Sequence, residues 1–321
     1  MSGPDATRDG VPLTNLDESL FDGASATKRD LVDYLDAAGD RVLPALRGRP
    51  LSVVRVLRGQ RPFMQKNLPA YAPPWLNRAP LWAHSSRREV TYALCDDRRS
   101  LLWFANQRAV EYHPTLARAD DLDRPTHLVL DIDPPPDSPF RSAVGAARLV
   151  RQALTDVGMA SAVKTSGAKG LHVFVPITDT SAQDAAAATR ALAARAERLG
   201  PELATTAFIR EDRAGKVFLD ATRTGAATVV AAYSPRVRPG SPVSFPVSWE
   251  DLDRVSPRDF TLHTAVGLLA DSDPWLEQMP APQPVAPVLV AEGRGMPVAR
   301  VQALHEGRRR ARARRASGRD G

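Results

Sequence analysis

Cysteine is almost absent: Cys95 is the only one in 321 residues. One thiol excludes a disulfide framework and any zinc site built from cysteines. No apolar run is long enough to span a bilayer. The first residues, with Asp5, Arg8 and Asp9 among small polar neighbours, lack the apolar stretch of a secretory signal. The expected compartment is therefore the cytoplasm. Wholesale disorder is excluded too, because 43% of the residues are hydrophobic. The length allows one large or two smaller domains with a real core.

The formal net charge is +6 and the pI is about 9.8, a balance that favours polyanionic partners. Six arginines crowd into the stretch from Gly307 to Arg315, so the remainder is close to neutral. Such a run either adds salt-sensitive attraction to nucleic acid or solubilises a disordered end.

Patterning predicts a disordered leader over 1–12, one ordered domain over 13–279 and a flexible Pro/Ala/Arg-rich basic tail over 280–321. Within the domain, Thr27 is a helix N-cap ahead of Leu31, Leu35, Val42 and Leu46. Strands are expected at 51–58 and 90–94, a loop from Pro69 to Pro80, and a helix at 100–110. The second half alternates more clearly, with strands at 127–133, 162–164, 171–175, 216–220 and 228–232. Helices are expected at 141–157 and 181–199. The mixture indicates an α+β or α/β core.

Three short motifs carry chemistry. Asp131 and Asp133 close the strand His127–Asp133, and their spacing of two puts both carboxylates on one face. Val129 shares that face, while Leu128, Leu130 and Ile132 turn to the core. Two carboxylates this close repel unless a cation separates them, and hard oxygen ligands suit Mg²⁺ or Mn²⁺. Taken alone, the pair reads as an ordinary acidic strand end. Ser166-Gly167-Ala168-Lys169-Gly170 offers a hydroxyl, two glycines and a lysine between two strands; backbone N–H groups there can approach phosphate. Its spacing is not that of a Walker A loop. Asp220, in Lys216-Val217-Phe218-Leu219-Asp220, can complete a three-carboxylate cluster for two divalent ions. Arg213, Lys216, Arg236 and Arg238 flank it as phosphate clamps or as plain surface charges.

In this order the motifs resemble the primase-polymerase domain of bacterial non-homologous end-joining ligases, within the archaeo-eukaryotic primase superfamily. The matching stretches are Leu13–Asp17, Thr27-Lys28, Gly48–Pro50, Glu111–His113, Leu130–Pro134, Lys164–His172, Gly215–Asp220, and Tyr233-Ser234 with Arg236. The resemblance implies a primase-like fold, with an RRM-like catalytic sheet packed against a second α/β layer. It implies Asp131, Asp133 and Asp220 as metal ligands for two ions, Mn²⁺ or Mg²⁺. Ser166, Lys169, His172, Arg213 and Arg236 would hold the triphosphate of an NTP or dNTP, with His113 close by. Asn15 and Lys28 would grip a DNA 5′-phosphate, and Phe63 would stack on the DNA there.

Four positions depart from the family pattern. Glu18 stands where a second phosphate-binding lysine is usual, and Met64 where a second aromatic is common. Ala221-Thr222-Arg223-Thr224 lacks the usual asparagine, and Ala232 replaces a common proline. The expectation is a stand-alone, monomeric, nucleoid-associated repair polymerase. It would add nucleotides, ribonucleotides by preference, at gapped or broken DNA, in company with Ku and a separate ligase. Two other readings compete: a non-polymerising DNA-end-binding scaffold, and a Mn²⁺-dependent glycosyltransferase that also places Asp-x-Asp at a strand end.

Overall fold

The computed structural model describes residues 5–83, 87–224, 227–269 and 273–298. The arginine run at 308–315 lies outside the described residues. The chain begins with a hairpin, β1 (Ala6–Arg8) and β2 (Val11–Leu13), followed by helices α1 (Lys28–Ala37) and α2 (Gly39–Leu46). The leader is thus ordered from residue 5, contrary to expectation. Val11 and Leu13 are buried, and Arg8 pairs with Asp33 and Asp36 of α1. Thr27 caps α1 as its position predicts. Its hydroxyl accepts from the Asp30 N–H while the Asp30 carboxylate accepts from its own N–H.

Next come β3 (Leu51–Arg55), β4 (Phe63–Gln65), β5 (Arg78–Ala83), β6 (Arg88–Ala93), α3 (Arg98–Asn106) and β7 (Ala109–Pro114). The five strands form one sheet in the order β4-β3-β6-β5, with β7 also on β3. The helix expected over 100–110 stops at Asn106, because Arg108 takes a left-handed turn, φ 59°, and β7 starts directly after it. Part of the loop expected over Pro69–Pro80 is β5.

A small hairpin, β8 (Ala117–Arg118) and β9 (Asp121–Pro125), leads to β10 (His127–Asp133). Then follow α4 (Phe140–Thr155), β11 (Ala162–Thr165), β12 (Leu171–Pro176), α5 (Ala182–Leu199), β13 (Ala204–Thr205), β14 (Val217–Asp220) and β15 (Pro246–Val247). These strands build the second sheet, ordered β13-β14-β10-β12-β11-β15. Leu128, Leu130 and Ile132 of β10 join Leu171, Val173 and Val175 of β12 in the main core, the face covered by α4 and α5. Period-two alternation therefore leaves Asp131, Asp133 and His172 on the other face. The strand expected at 228–232 is only an isolated bridge, Thr228 to Thr115. Val229 and Ala231 still donate to the carbonyls of Pro114 and Tyr112.

The chain continues through α6 (Leu262–Leu268), α7 (Pro274–Gln278) and α8 (Pro287–Arg294). The segment expected to be flexible from 280 is therefore ordered through 298. Its proline content suggested disorder, but Leu289 is fully buried and Glu292 takes Arg195 and Arg198 of α5 at 2.8 and 2.7 Å. Gly293 lies so close to α5 that an added Cβ would collide with the Ala187 carbonyl. Gly293→Ala should accordingly destabilise the fold by about 1–3 kcal/mol, the usual cost of overpacking. Urea denaturation checks this, and a substitution without effect would mean that α8 is not seated on α5.

Candidate active site

Antiparallel register lines up one polar row across the second sheet. Asp131 of β10 faces Asp220 of β14 on one side and His172 of β12 on the other. His172 in turn faces Lys164 of β11. Asp220, Asp131, His172 and Lys164 are all buried. One pleat along, Asp133 faces Phe218, and Arg213 stacks over that ring at 3.7 Å. One pleat the other way, Val129 and Phe174 form a small apolar cluster with Leu116 and Val229. The polar row of four strands thus lies beside an apolar floor.

Charge along the row is balanced by contact. His172 Nε2 lies 3.3 Å from Asp131 Oδ1, and Lys164 Nζ lies 2.8 Å from His172 Nδ1. Burial and the neighbouring Lys164 push the imidazole down to about 4, so it is neutral at pH 7. A carboxylate only accepts, so Nε2 carries the proton and Nδ1 accepts from Lys164. Ser244 Oγ gives its proton to the Thr165 carbonyl and accepts from Lys164 at 2.5 Å. Burial, reinforced by Arg236, holds the Lys164 amine well below its ordinary range. Burial opposes charge on Asp131, but His172, Arg223 and Lys164 together hold its carboxyl below the usual carboxylate range. Burial and the nearby Asp131 raise Asp133 to about 6.

Arg223 supplies the remaining compensation. Its Nη2 is 2.9 Å from Asp131 Oδ2 and its Nε 3.2 Å from Asp220 Oδ2. The other oxygen of Asp220 accepts from the N–H and hydroxyl of Thr222 at 2.8 and 2.6 Å. Of the three expected carboxylates, Asp131 and Asp220 face each other and Asp133 lies one pleat away opposite Phe218, which is not a ready metal cage. Among the described residues no group of three or more His, Cys, Asp or Glu side chains has metal-holding geometry. The carboxylates nonetheless fit a cation, since the chain itself sets a guanidinium between two of them.

The loop between β11 and β12 closes on Ser166, whose N–H donates to the Gly170 carbonyl at 2.9 Å. Ser166 Oγ accepts from the N–H groups of Ala168 and Gly170, both at 3.2 Å. Two of the N–H groups expected to approach a phosphate are therefore gathered on the serine hydroxyl instead. Gly167 has φ 67°, a conformation that favours glycine. At Gly170 a Cβ would run into the Ile132 carbonyl, so the loop lies directly on the strand between the two aspartates. Lys169 Nζ rests on the Pro136 carbonyl. Arg236 donates to the Ser166 carbonyl and pairs with Glu111 at 3.2 Å. His113 meets the same carboxylate at 2.8 Å.

Beside the row opens a cleft of about 1230 Å³, above the roughly 300–1,000 Å³ of most small-molecule pockets. Lys169, Arg210, Arg213, Lys216, Arg238 and Arg258 line it against a single carboxylate, Asp133. Such walls suit a polyanion longer than one nucleotide.

The family described as LigD, primase-polymerase domain, matches residues 27–275. The multifunctional non-homologous end joining DNA repair protein LigD of Mycobacterium tuberculosis is 34% identical over 293 residues, covering 88% of this chain and 38% of that protein. The bifunctional LigD of Bacillus subtilis is 30% identical over 262 residues, 80% of this chain and 42% of that one. The structure of the polymerase domain from Mycobacterium tuberculosis Ligase D in complex with DNA superposes with a TM-score of 0.76 at 33% identity. It covers 84% of this chain and 97% of that one. The chain belongs to the LigD primase-polymerase family.

The family is one of polymerase-type nucleotidyltransferases, which sets aside the glycosyltransferase reading. The chain spans well under half the length of the curated LigD proteins it matches. Its mixed α/β build, with two main sheets, is that of the LigD polymerase domain.

A second corner holds the residues expected to meet a DNA end. Lys28 Nζ donates to the Thr14 carbonyl at 2.5 Å, next to Asn15 in a left-handed turn, φ 54°. Glu18 pairs with Arg108 at 3.3 Å, so its carboxylate is partnered. Burial and Arg108 lower Lys28 to about 8. Phe63 stands on β4, exposed beside Met64. It is joined to this corner indirectly: β4 pairs with β3, and Arg108 Nε donates to the carbonyl of Val56 just past β3.

Sequence reasoning missed Lys164, Glu111, Ser244, Arg223 and Arg108 as site residues. The matching stretches contained Lys164 and Glu111, but only cross-strand register reveals their partners. Burial opposes charge on Glu111, yet His113 and Arg236 hold it at about 2, below the ordinary value of 4.5. A depressed acid stabilises the fold above the unfolded value and loses that contribution as pH falls. Glu111→Gln should therefore cost about 3 kcal/mol near pH 6. The gap to the unsubstituted protein should shrink between pH 4.5 and 2, as measured by denaturant titrations at each pH.

Proposed function

We propose that this chain is a metal-dependent, template-directed DNA repair polymerase. It adds nucleotides, ribonucleotides by preference, to primer 3′ ends at gaps or double-strand breaks. The observation that carries this is the buried row from Asp220 to Lys164 beside a cleft with six cationic side chains to one carboxylate. The names of the relatives, non-homologous end joining proteins, and the DNA in the structural neighbour's complex support DNA as substrate. Ku and a ligase are the partners proposed for this setting.

Asp131, Asp133 and Asp220 would hold Mn²⁺ or Mg²⁺, two ions in all. When bound, these supply activation of the primer hydroxyl and neutralisation of the triphosphate. The protein's own groups do the rest. Ser166 keeps a hydroxyl proton for a phosphate oxygen, and its loop sits against the catalytic strand. Lys169 and Arg213 add charge at the cleft wall. Arg236, steadied by Glu111, faces the same loop, and His113 shares that anchor. His172 directs its Nε2 proton at Asp131 and so fixes that carboxylate. The primer 3′-oxygen then attacks the α-phosphorus and pyrophosphate leaves.

A non-polymerising end-binding scaffold is the second reading, favoured by the guanidinium of Arg223 between Asp131 and Asp220. Primer extension on a gapped duplex with a downstream 5′-phosphate separates the two. Asp131→Ala/Asp133→Ala should lower template-dependent extension by more than about 100-fold, beyond the cost of losing a supporting group. Gapped-DNA binding should be kept. Absence of extension by the unsubstituted protein with Mn²⁺ and every NTP and dNTP would leave the scaffold.

At the second corner Asn15, Lys28 and Phe63 would receive the downstream end. Lys28 carries its charge below about 8 and loses it as pH rises through that value. Preference for a 5′-phosphorylated over a 5′-hydroxyl gap should therefore decline from pH 7 to pH 9. Fluorescence anisotropy with both gapped duplexes measures it. Lys28→Met should abolish both the preference and its pH dependence.

A further inference from the structure

We propose that Arg223 is the resident counter-cation of the metal site, a guanidinium that must leave Asp131 and Asp220 before a divalent ion can take them. The inference rests on the metal-holding role assigned to these aspartates above. It adds a residue that decides how tightly metal is held.

Each carboxylate has one oxygen committed elsewhere. Asp131 Oδ1 faces His172 Nε2 at 3.3 Å, and Asp220 Oδ1 accepts from Thr222. The remaining oxygen of each is the one that Arg223 takes, at 2.9 Å for Asp131 and 3.2 Å for Asp220. Guanidinium and metal therefore compete for the same two oxygens. The carboxylates are nearly enclosed, with side-chain exposures of 12% and 8%, whereas the Arg223 side chain is 34% exposed. The arginine thus has a route to solvent that the aspartates lack.

The backbone around it need not follow. Thr222 is tied to Asp220 on one side, and Thr224 Oγ1 accepts from the Val129 N–H at 3.0 Å on the other. Rotation about the side-chain bonds of Arg223 alone opens the site. Without Arg223 the two facing carboxylates would repel each other, since like charges directly opposite on paired strands are destabilising. The side chain therefore stabilises the metal-free fold and weakens metal binding through one and the same contact.

The test is Mn²⁺ titration of the full chain without DNA or nucleotide, followed by isothermal titration calorimetry and by the electron paramagnetic resonance of free Mn²⁺. Arg223→Gln should bind Mn²⁺ at least about tenfold more tightly, equivalent to about 1.4 kcal/mol, and should melt at a lower temperature when metal-free. Arg223→Lys keeps the charge but reaches the two carboxylates with a single ammonium, and it should fall between the two proteins. It also serves if Arg223→Gln does not fold. Equal or weaker Mn²⁺ binding in the substituted proteins, with clear binding by the unsubstituted one, would overturn the inference and leave the polymerase reading standing. Lack of Mn²⁺ binding by all three would overturn both, because the aspartates would then not be metal ligands.

Discussion

Two carboxylates set directly opposite each other on paired strands are the constraint on which the polar row of this molecule depends. Asp131 and Asp220 share a register position on β10 and β14, buried where water cannot screen them. The neighbouring residues answer that charge in order of distance. Arg223 spans both carboxylates, His172 fixes one by its Nε2 proton, and Lys164 fixes His172. Burying an amine as fully as Lys164 is costly. Here that cost is offset by two well-formed hydrogen bonds, to His172 and Ser244. The order acid, acid, imidazole, amine across four strands makes the sheet itself an electrostatic device.

The first sheet is bound to this row through Glu111. That carboxylate belongs to β7, yet its partners are Arg236, His113 and the Val237 N–H at 2.8 Å. Arg236 reaches on to the Ser166 carbonyl of the loop. Nearby, the Tyr112 N–H donates to Ser234 Oγ at 2.9 Å, and the Tyr34 hydroxyl to the Tyr233 carbonyl at 2.8 Å. Residues 233–237 therefore act as a seam, and the loop that faces the cleft is positioned from both sheets. The glycines suit this: Gly170 is required by the close Ile132 carbonyl rather than by its own backbone conformation.

Much of this was legible in the sequence where the signal is local. Alternation placed Asp131 and Asp133 on one face, Thr27 announced its helix, and the long helices α4 and α5 fall within two residues of expectation. The order of short motifs pointed to the family. What stayed hidden depends on register between distant strands. Lys164 reads as a lysine in a short apolar strand until β12 sets His172 opposite it, and Arg223 reads as an isolated charge until β14 brings it to Asp131. Order at the two chain ends was missed for another reason. The hairpin β1–β2 and helix α8 are too short and too rich in proline or charge to show periodicity. They are ordered by what they dock onto, namely α1 and α5.

A common device links the two corners where the sequence departs from its family. At Glu18 the expected lysine is gone, but Arg108 has its guanidinium on the new carboxylate and on the carbonyls of Ser19 and Leu20. Glu18 is therefore not a bare repulsive charge beside Lys28. It is half of an ion pair whose other half lies close enough to lower the lysine. At Arg223, in the stretch where the resemblance led one to expect an asparagine, an arginine is again seated on carboxylates. In both places an arginine is paired with a carboxylate beside residues proposed to meet a charged ligand. Arginine suits this because its fixed fork bridges two acceptors and it keeps its charge when buried. On the roles proposed above, such a ligand would displace or share a partnered cation instead of meeting a free one. That exchanges binding strength for a metal-free and DNA-free state in which few buried charges lack a partner.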